Sequence, residues 1–185
     1  MSKLFFASDL HGDLAATDAI LRRFEAEGAE RLILLGDLLY HGPRNDLPAA
    51  YAPKEVIRRL NAYAEHVLTV RGNCDTEVDQ MVLSFPILAD YALLFVDGFS
   101  MFLTHGHRFS PDAPPALAKG DALVSGHTHV AGIRPFGNGN LYLNPGSPSI
   151  PKAETIPSYL LYENGRFSLR DLSGKEYTSC LWKTV

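Results

Sequence analysis

The first residues that could do metal chemistry are an acid and an imidazole, Asp9 and His11. They follow the apolar residues 4–6, which are typical of a short buried strand. Two positions apart in extended backbone, their side chains point to the same side. The pair could therefore hold one metal ion just past the strand. Alone it is a weak signal, because most such pairs in proteins are surface or capping residues.

Residues that could bind a metal ion also follow four further apolar runs of the chain. Each of these runs ends in a glycine-containing loop with a metal-ligand residue type: Asp37, Asn73, His105, and the pair His127 and His129. Ligands of open α/β sheets bind outside the carboxyl ends of the strands, so parallel strands would bring the five loops to one rim. The glycines let the backbone turn sharply and approach an ion closely. We therefore expect one site with two carboxylates, one amide oxygen and four imidazoles.

This donor set indicates which ions the site would bind. It is too large for one tetrahedral zinc and suits two neighbouring ions, with a carboxylate such as Asp37 bridging them. Mixed oxygen and nitrogen donors favour Mn²⁺, Fe²⁺, Zn²⁺ or Co²⁺ over Ca²⁺ or Mg²⁺. Two carboxylates and two divalent cations leave a cluster charge of about +2, which would attract a phosphate group.

The remaining pattern predicts an α/β protein. Asp13 is a suitable N-cap and Gly28 a suitable end for a first helix, and Pro53 could open a second. Residues 32–35 and 67–70 are expected to be buried strands, and residues 122–124 another. Three hairpins are predicted at Asp97-Gly98, Gly137-Asn138-Gly139 and Asn164-Gly165.

Composition limits the classes of function. We expect residues 1–185 to form a single domain, because this length suits one hydrophobic core. We expect no membrane span, because no segment approaches the ~20 apolar residues that a span needs. The net charge of −4 and the lack of a basic cluster make nucleic acid an unfavourable partner. Two cysteines, Cys74 and Cys180, suit a reducing compartment, so we expect a cytoplasmic protein. Loop surfaces such as Tyr51 leave room for a homo-oligomer.

The ordered set Asp9-x-His11, Gly36-Asp37, Gly72-Asn73, His105 and Gly126-His127-x-His129 resembles the calcineurin-like metallophosphoesterase family. The chain length, the HGPRN and RGNCD segments and the NPGS loop resemble its small bacterial branch of phosphodiesterases. The similarity extends to about Tyr162. It implies a four-layer α/β/β/α sandwich with two mixed sheets, the metallo-dependent phosphatase-like fold, with a dinuclear centre between the loops of the two sheets.

The resemblance also implies a role for each ligand. Two divalent ions would share Asp37, one held by Asp9, His11, Asp37 and His129 and the other by Asp37, Asn73, His105 and His127. Manganese is the expected metal, with zinc, iron, cobalt and nickel as alternatives. A hydroxide bridging ions ~3.5–4 Å apart would attack phosphorus. Asn73 would also contact the phosphate, and Arg44 would bind a phosphoryl oxygen.

One departure from the family concerns the leaving group. Much of the family has histidine at Cys74, where it would protonate the leaving oxygen, and a thiol is a less common general acid.

The sequence predicts a phosphodiesterase for small phosphate diesters. It leaves a phosphomonoesterase, a nuclease and a non-catalytic metal-binding scaffold like the retromer subunit as alternatives. His41 and His107 stay open as supporting residues.

Overall fold

Two mixed β-sheets pack face to face in the computed structural model, which describes residues 3–182. The first sheet has the order β11-β10-β9-β1-β2-β3, and the second has the order β4-β5-β6-β8-β7. The strands are β1 (Lys3–Ala7), β2 (Arg31–Leu34), β3 (Val67–Thr69), β4 (Tyr91–Val96), β5 (Phe99–Thr104), β6 (Ala122–Val124), β7 (Gly132–Phe136), β8 (Asn140–Asn144), β9 (Ser158–Glu163), β10 (Arg166–Asp171) and β11 (Glu176–Leu181). The helices are α1 (Leu14–Glu27), α2 (Pro53–Asn61) and α3 (Glu77–Gln80).

The strands that precede the candidate ligands run parallel within each sheet. In the first sheet β1, β2 and β3 are adjacent and parallel, with Phe5 opposite Leu32 and Leu32 opposite Val67. In the second sheet β5, β6 and β8 are parallel neighbours. Each set of loops at the carboxyl ends of these strands therefore lies at one edge of its sheet, as the sequence predicts.

Successive side chains of the central strands point to opposite faces of the sheet, so they belong to two separate layers of the core. In β1, Phe6 packs between the two sheets, whereas Phe5 faces the helices on the outer side of the first sheet. Helix α1 begins where the Asp13 side chain accepts a hydrogen bond from Ala16 N at 2.9 Å. It ends at Gly28, which has a left-handed φ of 62°. Both predicted helix ends are confirmed.

The outer face of the second sheet is covered differently from that of the first. Phe102, Leu123 and Tyr142 form a small apolar cluster there, and Phe109 and Leu117 pack against it. Both covering residues come from the segment between β5 and β6, in which the structure shows no helix. Three prolines in that segment disfavour a helix. The predicted sandwich of two mixed sheets is confirmed, and this layer is a packed loop.

The three predicted hairpins are present as β4–β5, β7–β8 and β9–β10. The sequence analysis did not identify the short helix α3 or the edge strand β11. Cys180 of β11 packs into the core between the sheets, together with Trp182. Among residues 3–182, none of the helices combines the length and the apolar character that crossing a membrane requires.

Candidate metal centre

The five predicted loops meet at one rim between the sheets. Asp9 follows β1, Asp37 follows β2, and His105 directly follows β5. Asp37 Oδ2 lies 3.5 Å from His105 Nε2 and 3.7 Å from His11 Nε2. Asp9 Oδ1 lies 3.2 Å from His129 Nε2. The predicted convergence of these side chains is confirmed. They are separated by up to 120 positions in the sequence, from Asp9 to His129.

Three imidazoles are oriented by backbone carbonyls. His11 Nδ1 lies 2.8 Å from Tyr40 O, His129 Nδ1 lies 2.8 Å from Ile150 O, and His105 Nδ1 lies 2.7 Å from Leu35 O. A carbonyl oxygen only accepts hydrogen bonds, so each Nδ1 must carry the proton and donate. In the neutral ring, Nε2 then carries a free electron pair that faces the centre. Metal-ligating histidines have this arrangement.

The two carboxylates are oriented in the same way by backbone amides. Asp9 Oδ2 accepts from His127 N at 2.9 Å, and Asp37 Oδ1 accepts from Cys74 N at 2.8 Å. Their other oxygens, Asp9 Oδ1 and Asp37 Oδ2, face the imidazoles. Each carboxylate therefore presents one oxygen to the centre and uses the other to hold a neighbouring loop.

These groups fit cations and are unfavourable without them. The Nε2 atoms of His11 and His129 lie 3.2 Å apart, so in the neutral rings two electron pairs face each other. Asp9 Oδ1 is buried and, within residues 3–182, meets no hydrogen-bond donor. Buried polar atoms normally have partners, and an exception at a cluster of ligand atoms indicates an ion. The donor set is therefore that of a divalent metal centre.

Three overlapping sets of residues could each hold an ion, because the ligand atoms within each set lie within 4.8 Å of one another. The sets are Asp9, His11 and His129; Asp9, Asp37 and His105; and His11, Asp37 and Cys74. The first set contains three of the four ligands expected for one ion, and the fourth, Asp37, belongs to the other two sets. Two further residues adjoin His105 Nε2, with Asn73 Oδ1 at 3.1 Å and His127 Nδ1 at 3.2 Å. The structure thus brings together all seven predicted ligands.

The backbone of the ligand loops is strained. Five of the seven have left-handed backbone: Asp9, His11, Asp37, His127 and His129, with φ between 49° and 67°. Residues other than glycine rarely adopt this conformation, and it occurs mainly where the surrounding structure imposes it. Glycines pack against the carboxylates here, since a Cβ on Gly72 would lie 2.1 Å from Asp37 Oδ1. The loops therefore approach each other closely enough to share ions.

The electrostatics of the centre favour bound cations. Burial alone would raise the pKa of Asp9, but the imidazoles of His105, His11 and His129 hold it well below its usual range. Burial alone would lower the pKa of His105, yet Asp37 and Asp9 raise it to about 9. The two carboxylates thus bind positive charge strongly, either as protons on imidazole or as metal ions, and these compete for the same electron pairs.

Asp75 is a functional residue that the sequence analysis did not assign. Its buried carboxylate accepts three backbone hydrogen bonds: from Asp37 N at 2.9 Å, Leu38 N at 2.9 Å and Gly72 N at 2.7 Å. It thereby links the loop after β2 to the loop after β3, both of which carry ligands. An acid three residues after Gly72 was the available signal, but its partners are distant in sequence.

Ser147, in the NPGS loop, supports the ligands Asp9 and His129. Its hydroxyl donates to Asp9 O at 2.8 Å and accepts from Ile150 N at 2.9 Å. Ile150 O is the carbonyl that orients His129. This loop therefore positions an acid and an imidazole without contributing a ligand.

A cavity of about 670 Å³ opens above the centre. Asp37, Asn73, Cys74, His127 and His129 line it, and Arg44, Asn45 and Lys152 form its polar outer wall. Arg44, for which a substrate contact is predicted, is exposed and lines the cavity. The Cys74 thiol is half-buried, and burial together with Asp37 raises its pKa to about 12.

The residues left open by the sequence analysis lie around the centre. The His107 ring centroid is 5.4 Å from that of His105, beside the ligands. His41 packs edge-on against Tyr40 and Tyr51. The interpretation of Tyr51 as an exposed loop surface is wrong, because its ring is partly buried against Gly12.

A sequence profile of the calcineurin-like phosphoesterase superfamily domain matches residues 2–165, most of the chain. The chain belongs to the calcineurin-like phosphoesterases. The predicted family and the predicted class of ester hydrolase are thereby confirmed. The strands β10 and β11 lie at or beyond the end of the match, where the sequence resemblance also becomes indistinct.

Individual members of the superfamily are also similar to this chain. Phosphodiesterase YfcE of Escherichia coli K12 is 50% identical over 169 residues, which are 91% of each chain. The solved structure of E. coli YfcE has a TM-score of 0.95 at 46% identity and covers 98% of this chain and 100% of that one. Vps29 of Chaetomium thermophilum shares the fold, with a TM-score of 0.64 at 16% identity over 98% of this chain and 96% of that one.

Proposed function

We propose that this phosphoesterase is a metal-dependent phosphodiesterase that hydrolyses small phosphate diesters at a dinuclear centre. The proposal rests on one observation: three sets of ligand atoms overlap through the shared residues Asp9, His11 and Asp37, and every imidazole oriented by a carbonyl aims its free electron pair into that overlap. The name of the half-identical E. coli relative, a phosphodiesterase, supports the choice of substrate class. We assign the activity to one domain spanning residues 1–185.

The first ion would be held by Asp9, His11, Asp37 and His129, and the second by Asp37, Asn73, His105 and His127. Mixed oxygen and nitrogen donors favour manganese, with zinc, iron, cobalt and nickel as competitors. When bound, such ions lower the pKa of an attacking water and neutralise the charge that develops on the phosphoryl oxygens. The protein orients five of the seven ligands, since backbone amides hold the two carboxylates and backbone carbonyls hold three of the imidazoles.

The substrate would be bound by residues of the cavity. Asn73 is exposed there and its amide Nδ2 lies near the Cys74 thiol, 3.2 Å from Sγ, so it could donate to a phosphoryl oxygen. Arg44 would supply a cation on the outer wall. Cys74 is the candidate general acid, although a pKa raised by burial and by Asp37 makes its thiol a weak proton donor.

Two alternatives have different readouts. A phosphomonoesterase would use the same ions and prefer a substrate with one ester bond. A scaffold of the Vps29 type would bind metal without hydrolysis, and the structural likeness to Vps29 is its support. We retain the cytoplasm as the proposed location on the basis of the two free cysteines, Cys74 and Cys180. A homo-oligomer stays a prediction.

The deciding experiment compares bis-p-nitrophenyl phosphate with p-nitrophenyl phosphate, using protein stripped by a chelator and reloaded with Mn²⁺. We expect hydrolysis only after loading, with the diester preferred. Asp37→Asn should lose at least about 100-fold in kcat/KM, because it removes a charge shared by both ions. It should also lower the number of bound Mn²⁺ ions measured by electron paramagnetic resonance.

Asp112→Asn is the matched control, since Asp112 is exposed in the loop between β5 and β6 and lies outside the ligand clusters. It should keep both the metal content and the rate. Preference for the monoester would favour the first alternative. Full Mn²⁺ binding without hydrolysis of either ester would favour the scaffold and overturn the enzyme assignment.

A further inference from the structure

An apolar groove of about 410 Å³ adjoins the active-site cavity. Its apolar lining is formed by Leu39, Tyr40, Tyr51, Ile57, Val78 and Val82. Tyr40, Cys74 and Thr76 line both the groove and the cavity above the metal centre, so the two spaces are immediate neighbours. We propose that the groove binds an aromatic ester group of the phosphate substrate, an inference that rests on the proposed function.

The inner wall of the groove is held rigidly beside the ligands. A Cβ on Gly12 would lie only 2.6 Å from Tyr51 Cε2, so the tyrosine ring packs directly on the backbone next to His11. Tyr51 also forms a β-bridge with Asp13, and Ala52 N donates to Gly12 O at 2.9 Å. The position of this wall relative to the metal centre is therefore set before substrate binds, which favours specific recognition.

The outer wall consists of exposed apolar side chains on a polar element. Helix α3 begins with a reciprocal capping interaction between Thr76 and Asp79. On the same short element Val78 is 68% exposed and Val82, just beyond it, is 44% exposed. Burying such side chains against an apolar ligand is favourable. Since the groove shares three lining residues with the active-site cavity, an ester group of the substrate is the occupant that its position supports.

Aromatic chemistry distinguishes this occupant from other apolar groups. Tyr40 and Tyr51 present two rings to the groove, and both pack edge-on against His41 between them. Aromatic pairs contribute beyond the area that they bury. On the other side of the cavity, Arg44 and Lys152 provide positive charge. A diester would thus have its aromatic group in the groove and its polar group on the charged wall.

The test measures binding of two phosphonates that differ only in this group, by calorimetry on the Mn²⁺-loaded protein. Phenylphosphonate should bind about tenfold more tightly than methylphosphonate, because the ring buries apolar surface in the groove. Val78→Lys should abolish this preference, since it puts a charge on the outer wall. Met81→Lys is the matched control: Met81 is 83% exposed, lies three residues further along and does not line the groove.

Equal affinity for the two phosphonates in the unmodified protein would overturn the inference while leaving the proposed function intact. A preference that survives in Val78→Lys would also overturn it. A phenyl preference without hydrolysis of any diester would keep the groove as an aryl site and reject the proposed phosphodiesterase. Binding of neither phosphonate would overturn the inference, and hydrolysis of the diester would still decide the proposed function.

Discussion

At the scale of single residues, the candidate centre depends as much on groups that hold the ligands as on the ligands themselves. Asp75 belongs to none of the ligand sets, yet its carboxylate accepts hydrogen bonds from the amides of Asp37, Leu38 and Gly72. Burial raises the pKa of Asp75, so its charge is maintained by these amides rather than by solvent. It acts as a positioning residue for two loops.

Asp75→Asn should weaken Mn²⁺ binding at least about tenfold and lower the midpoint of thermal unfolding. An asparagine offers one acceptor oxygen to three donors and turns its own N–H groups toward them, which costs about 1–3 kcal/mol per unpaired buried group. Metal affinity by titration and stability by calorimetry would measure the two effects. Unchanged Mn²⁺ affinity would contradict a positioning role. The exposed Asp112→Asn serves again as the control.

Cys74→His should raise kcat on an alkyl p-nitrobenzyl phosphate by at least about tenfold. An imidazole has a pKa near neutrality and donates a proton to a poor leaving group more readily than a thiol of raised pKa. Esters of p-nitrophenol need little protonation, so their rates provide the internal reference and should change much less. An equal or lower rate on the alkyl ester would reject the proton-donor role at this position.

At the scale of elements, glycines let the strand-end loops of the two sheets touch. Gly126 follows β6 in the second sheet and packs on residues that follow β1 in the first. A Cβ there would lie 1.8 Å from Ser8 Oγ and 2.5 Å from Asp9 Oδ2. No side chain fits at those distances without displacing the Asp9 loop. The junction between the sheets therefore requires glycine.

Gly126→Ala should destabilise the protein by about 1–3 kcal/mol and greatly weaken Mn²⁺ binding, because the added methyl overpacks the junction and moves a ligand. Chemical denaturation and metal titration would measure both changes. Gly132→Ala is the matched control, since a Cβ at Gly132 in β7 meets nothing within 4 Å. If both variants bound Mn²⁺ equally well, the junction would tolerate a side chain and the argument would fail.

At the scale of the whole molecule, Glu27 ties the end of α1 to the antiparallel half of the first sheet. Its carboxylate, whose side chain is only 7% exposed, accepts from Arg23 at 2.7 Å, Tyr159 at 2.6 Å and Arg170 at 2.9 Å. Burial raises the pKa of Glu27, but these partners outweigh it and hold the pKa below its usual range. This pairing stabilises the folded state when the group is ionised.

Glu27→Gln should lower the free energy of unfolding by about 2 kcal/mol at neutral pH, through loss of charged hydrogen bonds. The contribution is complete above the unfolded glutamate pKa of about 4.3 and is lost as pH falls through the lower folded-state pKa. The difference between the two proteins should therefore shrink in acid. Denaturation at pH 7 and pH 3 would measure it, with exposed Glu30→Gln as the control. A difference that is independent of pH would contradict the ionic role.

Local patterns were sufficient to predict much of the fold and the chemical types of the site. Each predicted ligand follows an apolar run, and the caps of the first helix and the Asp97-Gly98 turn depend on neighbouring residues only. Interactions between neighbouring residues can be predicted from the sequence directly. The edge strand β11 could not be, because Glu176–Leu181 is stabilised by pairing with β10 and has little apolar alternation of its own.

The amino-acid sequence is sufficient to predict which side chains the proposed chemistry would use: two carboxylates, an amide and four imidazoles at strand ends, in the order of the calcineurin-like family. The distances between these side chains, the three amides on Asp75 and the aromatic groove beside the centre arise only in the folded protein. The reason is physical. Residue type and local turn depend on adjacent positions, whereas a shared rim exists only after two sheets have packed and brought distant loops within hydrogen-bonding range.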